Sequence, residues 1–159
     1  MDKQIIIYTD GASSGNPGPG GIGVVMKYGD LRKEISEGYR LTTNNRMELL
    51  AVIRGLEALR RPNSDATVFT DSKYVSDAIN KGWLFEWEKN NFKKKKNPDL
   101  WKKFLPIFRK HRIKFEWLKG HAGNIENTRC DELAVSASQG SDLKEDEGFS
   151  ANEQVNDIH

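Results

Sequence analysis

The chain has little cysteine, little histidine and no long apolar run, and each shortage narrows what it can be. One cysteine, Cys130, excludes an internal disulfide and suits a reducing compartment. Three histidines and that thiol are a poor ligand supply for a structural zinc site. The longest wholly aliphatic run near the N-terminus is Ile5-Ile6-Ile7, too short for a signal segment or a membrane span. A cytoplasmic, monomeric protein without membrane partners is the expectation. Net charge is also scarce, at +2 over 159 residues, but its distribution is not even. Residues 140–159 carry Lys144 against six acids, net −5. Residues 80–114 carry twelve Lys/Arg against three acids, net +9. A basic stripe of that density points to a polyanion such as nucleic acid, or else to a solvated lysine face.

What is present reads as one domain. Residues 4–10 and 22–28 have strand character, and the stretch Gly11 to Gly21, GASSGNPGPGG, has loop chemistry. A third strand over about 31–40 follows a Tyr-Gly-Asp turn and completes a meander. Apolar residues from Met47 to Leu59 recur at three- and four-residue steps and predict a helix. A fourth strand over 66–70, a short helix after Ser72, a helix from Pro98, a fifth strand over 112–118 and a last helix over about 125–138 follow. Three meander strands followed by alternating strands and helices predict an α/β fold with a mixed sheet covered on its faces. The polar, acidic tail 141–159 is expected to be flexible. Gly18, Gly20 and Gly23 satisfy G-x-G-x-x-G, yet they lead into a strand and Pro19 removes a phosphate-binding N–H, so no dinucleotide site is expected.

Two apolar strands, IIIYTDG and TVFTDS, both run into Thr-Asp. Each acid has an ordinary explanation when taken alone. Asp10 reads as a turn residue, and Asp71 as a helix cap with Ser72 as a second candidate. Glu48 reads as the N3 acid of a capping box begun by Asn45. Asp131 lies in the first turns of the last helix, where an acid suits the dipole. Taken together, four carboxylates would repel one another unless cations intervene. Mg2+ is the cation suited to oxygen ligands, retained water and a substrate phosphate.

At this point five blocks, YTDGASSGNPGPGGIGVV, TTNNRMELLAVIRGLEAL, TDSKYV, KNPDLWKKF and WLKGHAGNIENTRCDELA, resemble type 1 ribonuclease H in order over about residues 3–138. The resemblance implies a catalytic domain over 1–140 with a basic handle at about 81–98. It implies a five-stranded mixed sheet of order 3-2-1-4-5 with helices on both faces. It implies an endonuclease that cuts the RNA strand of RNA–DNA hybrids and leaves 3′-OH and 5′-phosphate ends. Asp10, Glu48, Asp71 and Asp131 fall on the family's ligands for two Mg2+ ions, with Mn2+ able to substitute. His121 falls on its loop histidine, which moves a proton or helps release product. Asn16, Asn44, Asn45 and Glu48 fall on the RNA side, Thr43 and Asn97 on a seat for a DNA phosphate, and Trp83 and Trp87 on the handle. Trp83 and Trp87 also fit a helix pair packed into the core. The handle is shortened between Trp87 and Asn97, Leu41 stands where a basic residue is frequent, and Lys73 where Gln is frequent. A non-catalytic binding module, or an integrase- or resolvase-type nuclease of the wider group, is the alternative.

Overall fold

The structure, a computed structural model, describes residues 4–119 and 124–149. Strands β1 (Ile5–Ser13), β2 (Gly18–Tyr28) and β3 (Leu31–Thr42) form the expected antiparallel meander. Strand β4 (Asp65–Thr70) runs parallel to β1 on its other side, and β5 (Arg112–Trp117) runs parallel to β4. A two-residue strand, β6 (Leu143–Lys144), adds to the outer edge of β3. The order β5-β4-β1-β2-β3-β6 therefore contains the expected 3-2-1-4-5 sheet, extended by one short strand.

Five helices, α1 (Asn44–Glu57), α2 (Lys73–Asn80), α3 (Trp83–Lys89), α4 (Pro98–Arg109) and α5 (Ile125–Ser138), complete the fold. Alternate residues of β2 serve opposite faces, as the pleat requires. Ile22 and Val24 join Ile7, Leu49, Val52, Ile53 and Leu56 in the core under α1. Gly21 and Gly23 face the other way, where a Cβ would overlap the carbonyl oxygens of Ala134 and Cys130 on α5. The glycine-rich stretch expected as a loop is thus mostly strand, and only residues 14–17 connect β1 to β2. Gly11 and Gly21 have turn chemistry in sequence, but in the fold they are surfaces against which the backbones of α1 and α5 press.

The tail also departs from expectation over its described part. Beyond β6, Asp146 is almost fully buried and bonded to Arg46 of α1, while Glu145 pairs with Arg40 and Lys144 with Glu37. Charge pairing to the body of the protein, rather than apolar burial, seats these polar residues. No helix among the described residues is long and apolar enough to cross a membrane.

Candidate active site

The parallel ladder between β1 and β4 ends with Tyr8 opposite Phe69, whose rings stack at 5.1 Å. Two residues further along each chain come Asp10 and Asp71. Asp10 is not a turn residue, because β1 continues to Ser13 and pairs Asp10 with Gly23. It lies beyond the last pair with β4, where the two strands diverge. A site at the carboxyl ends of neighbouring parallel strands is the general location for ligands in open α/β sheets.

The other ordinary explanations fail in the same way. The N-cap of α1 is Thr43, whose hydroxyl accepts from the Arg46 N–H. That shifts the helix start by two residues, so Glu48 is not at N3 and closes no capping box. Its carboxylate instead accepts the Gly11 N–H of β1. Gly11 permits this approach, since a Cβ there would overlap the Met47 and Glu48 backbone. Ser72, not Asp71, caps α2 by accepting from the Val75 N–H. Asn124 caps α5 by accepting from Asn127, which leaves Asp131 nearly two turns into the helix. No acid of the four is needed for local structure.

Carboxylate oxygens of Asp10, Glu48 and Asp71 lie within 4.8 Å of one another. Asp131 lines the same open cleft, about 450 Å³, together with Asn44, Asn45 and Lys73. Burial, reinforced by the negative charges of Asp10 and Asp71, pushes the Glu48 carboxyl well above the usual range, against the single Gly11 bond that favours its ionised form. The acidic oxygens form a site that favours added positive charge, as a proton or a metal ion. Hard, oxygen-only donors of this kind suit Mg2+ or Mn2+. Behind the site, the Cys130 thiol donates to the Tyr8 carbonyl at 3.2 Å, and burial drives its pKa upward. It is a packing residue.

Asn16, Thr43, Asn97, Trp83 and Trp87 are not among the residues that line this cleft. Asn16 accepts the Asn44 N–H at 3.1 Å, which ties the 14–17 turn to the start of α1. Arg46 donates to the Asn97 side-chain oxygen, and Asn97 donates to the Tyr74 hydroxyl at 3.1 Å. Thr43 and Asn97 are therefore linked through Arg46. The two handle indoles divide: Trp87 packs edge-on against Trp101 at 5.9 Å, whereas Trp83 is 45% exposed. The core reading holds for the first and fails for the second. His121 lies outside the described residues.

Sequence reasoning missed two neighbours of the site. Trp117, at the end of β5, donates its indole N–H to the Asp71 carbonyl at 3.1 Å, and the Lys73 ammonium sits 4.7 Å from its ring. No local pattern announces that contact. Arg46 stands inside NNRMEL but carries no signal of its burial partners, which lie about 50 and 100 residues downstream.

Comparison with known proteins agrees with this geometry. The family model for RNase H matches residues 2–139. A ribonuclease H of Trichodesmium erythraeum is 56% identical over 151 residues, covering 92% of this chain and 96% of that protein. A ribonuclease HI of Synechocystis sp. is 50% identical over 153 residues, covering 92% and 95%. Among solved structures, LC9-RNase H1, a type 1 RNase H, superposes with a TM-score of 0.80 at 28% identity, covering 98% of this chain and 81% of that one. LC11-RNase H1, solved in complex with an RNA/DNA hybrid, superposes with a TM-score of 0.63 at 31% identity, covering 84% and 96%.

Proposed function

The chain belongs to the ribonuclease H family, and on that premise we propose that the carboxylate cleft cuts the RNA strand of RNA–DNA hybrids with two divalent cations. Family membership makes the chain an endoribonuclease acting on such hybrids. The cation number, the residue roles and the chemical steps are our reading. The observation that carries it is the approach of Asp10, Glu48 and Asp71 to within 4.8 Å with no part in capping or turns.

Asp10 on β1 and Asp71 just after β4 would hold the cations, and Glu48 and Asp131 would close the set from α1 and α5. Two Mg2+ ions, or Mn2+, would supply a nucleophilic water and neutralise charge on the leaving oxygen of an in-line displacement. Water oxygen bonds to phosphorus and the bond from phosphorus to the 3′-oxygen breaks, which leaves 3′-OH and 5′-phosphate. His121 accepts or returns a proton near neutral pH, or helps product leave.

The chain's own residues choose the substrate. Asn44, Asn45 and Glu48 line the cleft and Asn16 is bonded to the Asn44 N–H, and these four read the 2′-hydroxyls of an RNA strand. Thr43 and Asn97 seat a phosphate of the DNA strand. Asn97 has its oxygen engaged by Arg46 and one N–H by Tyr74, which leaves a second N–H to donate. Trp83 presents an exposed indole, and the lysines after Trp87 supply positive charge to the same strand.

Incubation of the purified protein with a labelled RNA–DNA hybrid tests the reading. Cutting of the RNA strand is expected with Mg2+ and not with excess chelator, while single-stranded RNA, duplex RNA and duplex DNA are largely spared. Cutting that persists in chelator overturns the metal assignment.

A further inference from the structure

The acidic segment that follows α5 is tied to the residues read above as the seat for a DNA phosphate. Asp146 takes one edge of the Arg46 guanidinium, accepting from Nε at 2.7 Å and from Nη2 at 2.9 Å. Asp99 takes the adjacent edge, accepting from Nη1 at 2.9 Å and from Nη2 at 2.6 Å. A guanidinium carries five N–H donors in one rigid plane, and these bonds use four. The fifth goes to the Asn97 side-chain oxygen at 3.2 Å. Two forked carboxylates therefore fix the plane of Arg46, and that plane decides where Asn97 is held.

Asp146 reaches the other half of the seat as well. It accepts the Thr42 hydroxyl at 2.7 Å, and the next residue is Thr43, the N-cap of α1. The segment lies closely on this network. Its strand β6 pairs with β3 at Gly38 and Tyr39, and at Gly148 a Cβ would overlap the Asp99 carboxylate. The Phe149 ring then stands 6.0 Å from the Arg46 guanidinium carbon. The ordinary explanation is that such a strap only adds stability. It accounts for the ion pairs but not for Asn97. That residue precedes α4 in a left-handed conformation, φ 60°, and its side chain caps no helix N–H. Its amide is held by Arg46 and Tyr74 instead.

We propose that Asp146 is a positioning residue for the substrate: through Arg46 and Thr42 it sets Asn97 and Thr43 relative to each other, so that both meet one phosphate of the DNA strand. The inference rests on the reading of Thr43 and Asn97 as that seat. Asp146 acts through these side chains and makes no contact with the substrate itself. The strap formed by residues 143–149 thus holds the DNA strand in register, although it lies outside the carboxylate cleft. A contact of this kind is made equally in the bound substrate and in the transition state. Its loss therefore belongs to KM and not to kcat.

Steady-state cleavage of hybrids whose DNA strand carries one neutral methylphosphonate, moved along it a linkage at a time, tests this with the full chain. In the parent, one linkage is expected to raise KM by about five-fold, as one phosphate contact is lost. Asp146→Ala should raise KM for the unmodified hybrid by about as much and keep kcat within about two-fold. It should also abolish the extra penalty at that linkage and leave the penalties at other linkages as they were. Gly148→Ala pushes the strap off the ion pair without removing a charge. It should give the same pattern, and it carries the test if Asp146→Ala fails to fold. Lower thermal stability in both variants with the parent's linkage profile overturns the positioning role while the seat stands. A fall in kcat at unchanged KM also overturns it. A parent insensitive at every linkage, with an unchanged KM in Asn97→Ala, refutes the seat, and the proposal falls with it.

Discussion

Arg46 and Glu48 stand two residues apart on α1, 2% and 4% exposed, and their surroundings are opposite. Arg46 donates two bonds to Asp99 at 2.9 and 2.6 Å and two to Asp146 at 2.7 and 2.9 Å. Burial works against its charge, but the bonds with the two carboxylates outweigh that and raise its pKa. Glu48 has one backbone donor and two carboxylates for neighbours. One helix turn thus carries a cation whose charge is answered and an anion whose charge is compounded. Buried charge that the fold neutralises is architecture, and buried charge that it leaves unbalanced is a binding site for the opposite sign.

The most severe way to break the comparison is to remove charge from the unbalanced cluster. Asp10→Asn should lower hybrid cleavage by at least ~10³-fold, about 4 kcal/mol of transition-state stabilisation, while circular dichroism reports an unchanged fold. Rates within ten-fold of the parent would show that the carboxylates do not act through cations. Arg46→Met tests the balanced cluster. It leaves Asp146, whose side chain is 7% exposed, without a cation and with only the Thr42 hydroxyl at 2.7 Å as a side-chain donor, so unfolding free energy should fall by about 3 kcal/mol in urea titration. The loss is no larger because Asp99 is 39% exposed and is rescued by water. Stability equal to the parent would make the triad decorative.

The balanced cluster also shows what is and is not readable in the sequence. Most strand and helix positions are legible from periodicity, α3 and β6 excepted, and the family blocks supply the sheet order. Asp146 is not legible, because an ion pair across 100 residues leaves no trace in any local window. Gly20 and Gly21 read as loop because glycine disfavours strands. Their reason is tertiary: Gly20 packs under Thr42 and Met47, and Gly21 under the backbone of α5, neighbours visible only once the helices are placed. Thr43 and Asn45 both make credible caps, and choosing Asn45 gives Glu48 a local explanation. The cap at Thr43 removes that explanation and exposes the acid as unexplained. The site is therefore readable as four residues and unreadable as a constellation.

A gentler change sharpens the contrast without abolishing either cluster. In metal-free protein the Glu48 carboxyl is held above its unfolded-state value. The folded chain then binds more protons than the unfolded chain between those two values, so stability falls as pH rises through the raised one. Full stability is present below the ordinary glutamate range of about 4.3. Glu48→Gln should remove that slope and, at neutral pH without metal, raise unfolding free energy by about 1 kcal/mol. Adding Mg2+ should stabilise the parent and not the variant. Parallel pH–stability curves for the two proteins would sink the account of Glu48 as an unanswered charge.

The handle extends the comparison to the other sign. Lys93, Lys94 and Lys96 enter no ion pair among the described residues, and Lys95 lies 5.3 Å from the Trp87 ring instead. If unbalanced carboxylates await cations, unbalanced lysines await phosphate, and the consequence belongs to binding rather than to the chemical step. Replacing Lys93, Lys94 and Lys96 with Gln, together with Trp83→Ala, should raise KM a few-fold, under ~1 kcal/mol per residue, with kcat nearly unchanged. The plot of log(kcat/KM) against log salt should become shallower by up to ~0.9 for each phosphate that is no longer neutralised. The indole and the lysines separate within the same experiment, because Trp83→Ala alone removes a surface without a charge. It should raise KM and leave the salt slope as it was. Equal losses in kcat and KM from the lysine variant would place these side chains in the transition state. The handle would then be part of the reacting site, and the division between answered and unanswered charge would no longer separate structure from chemistry.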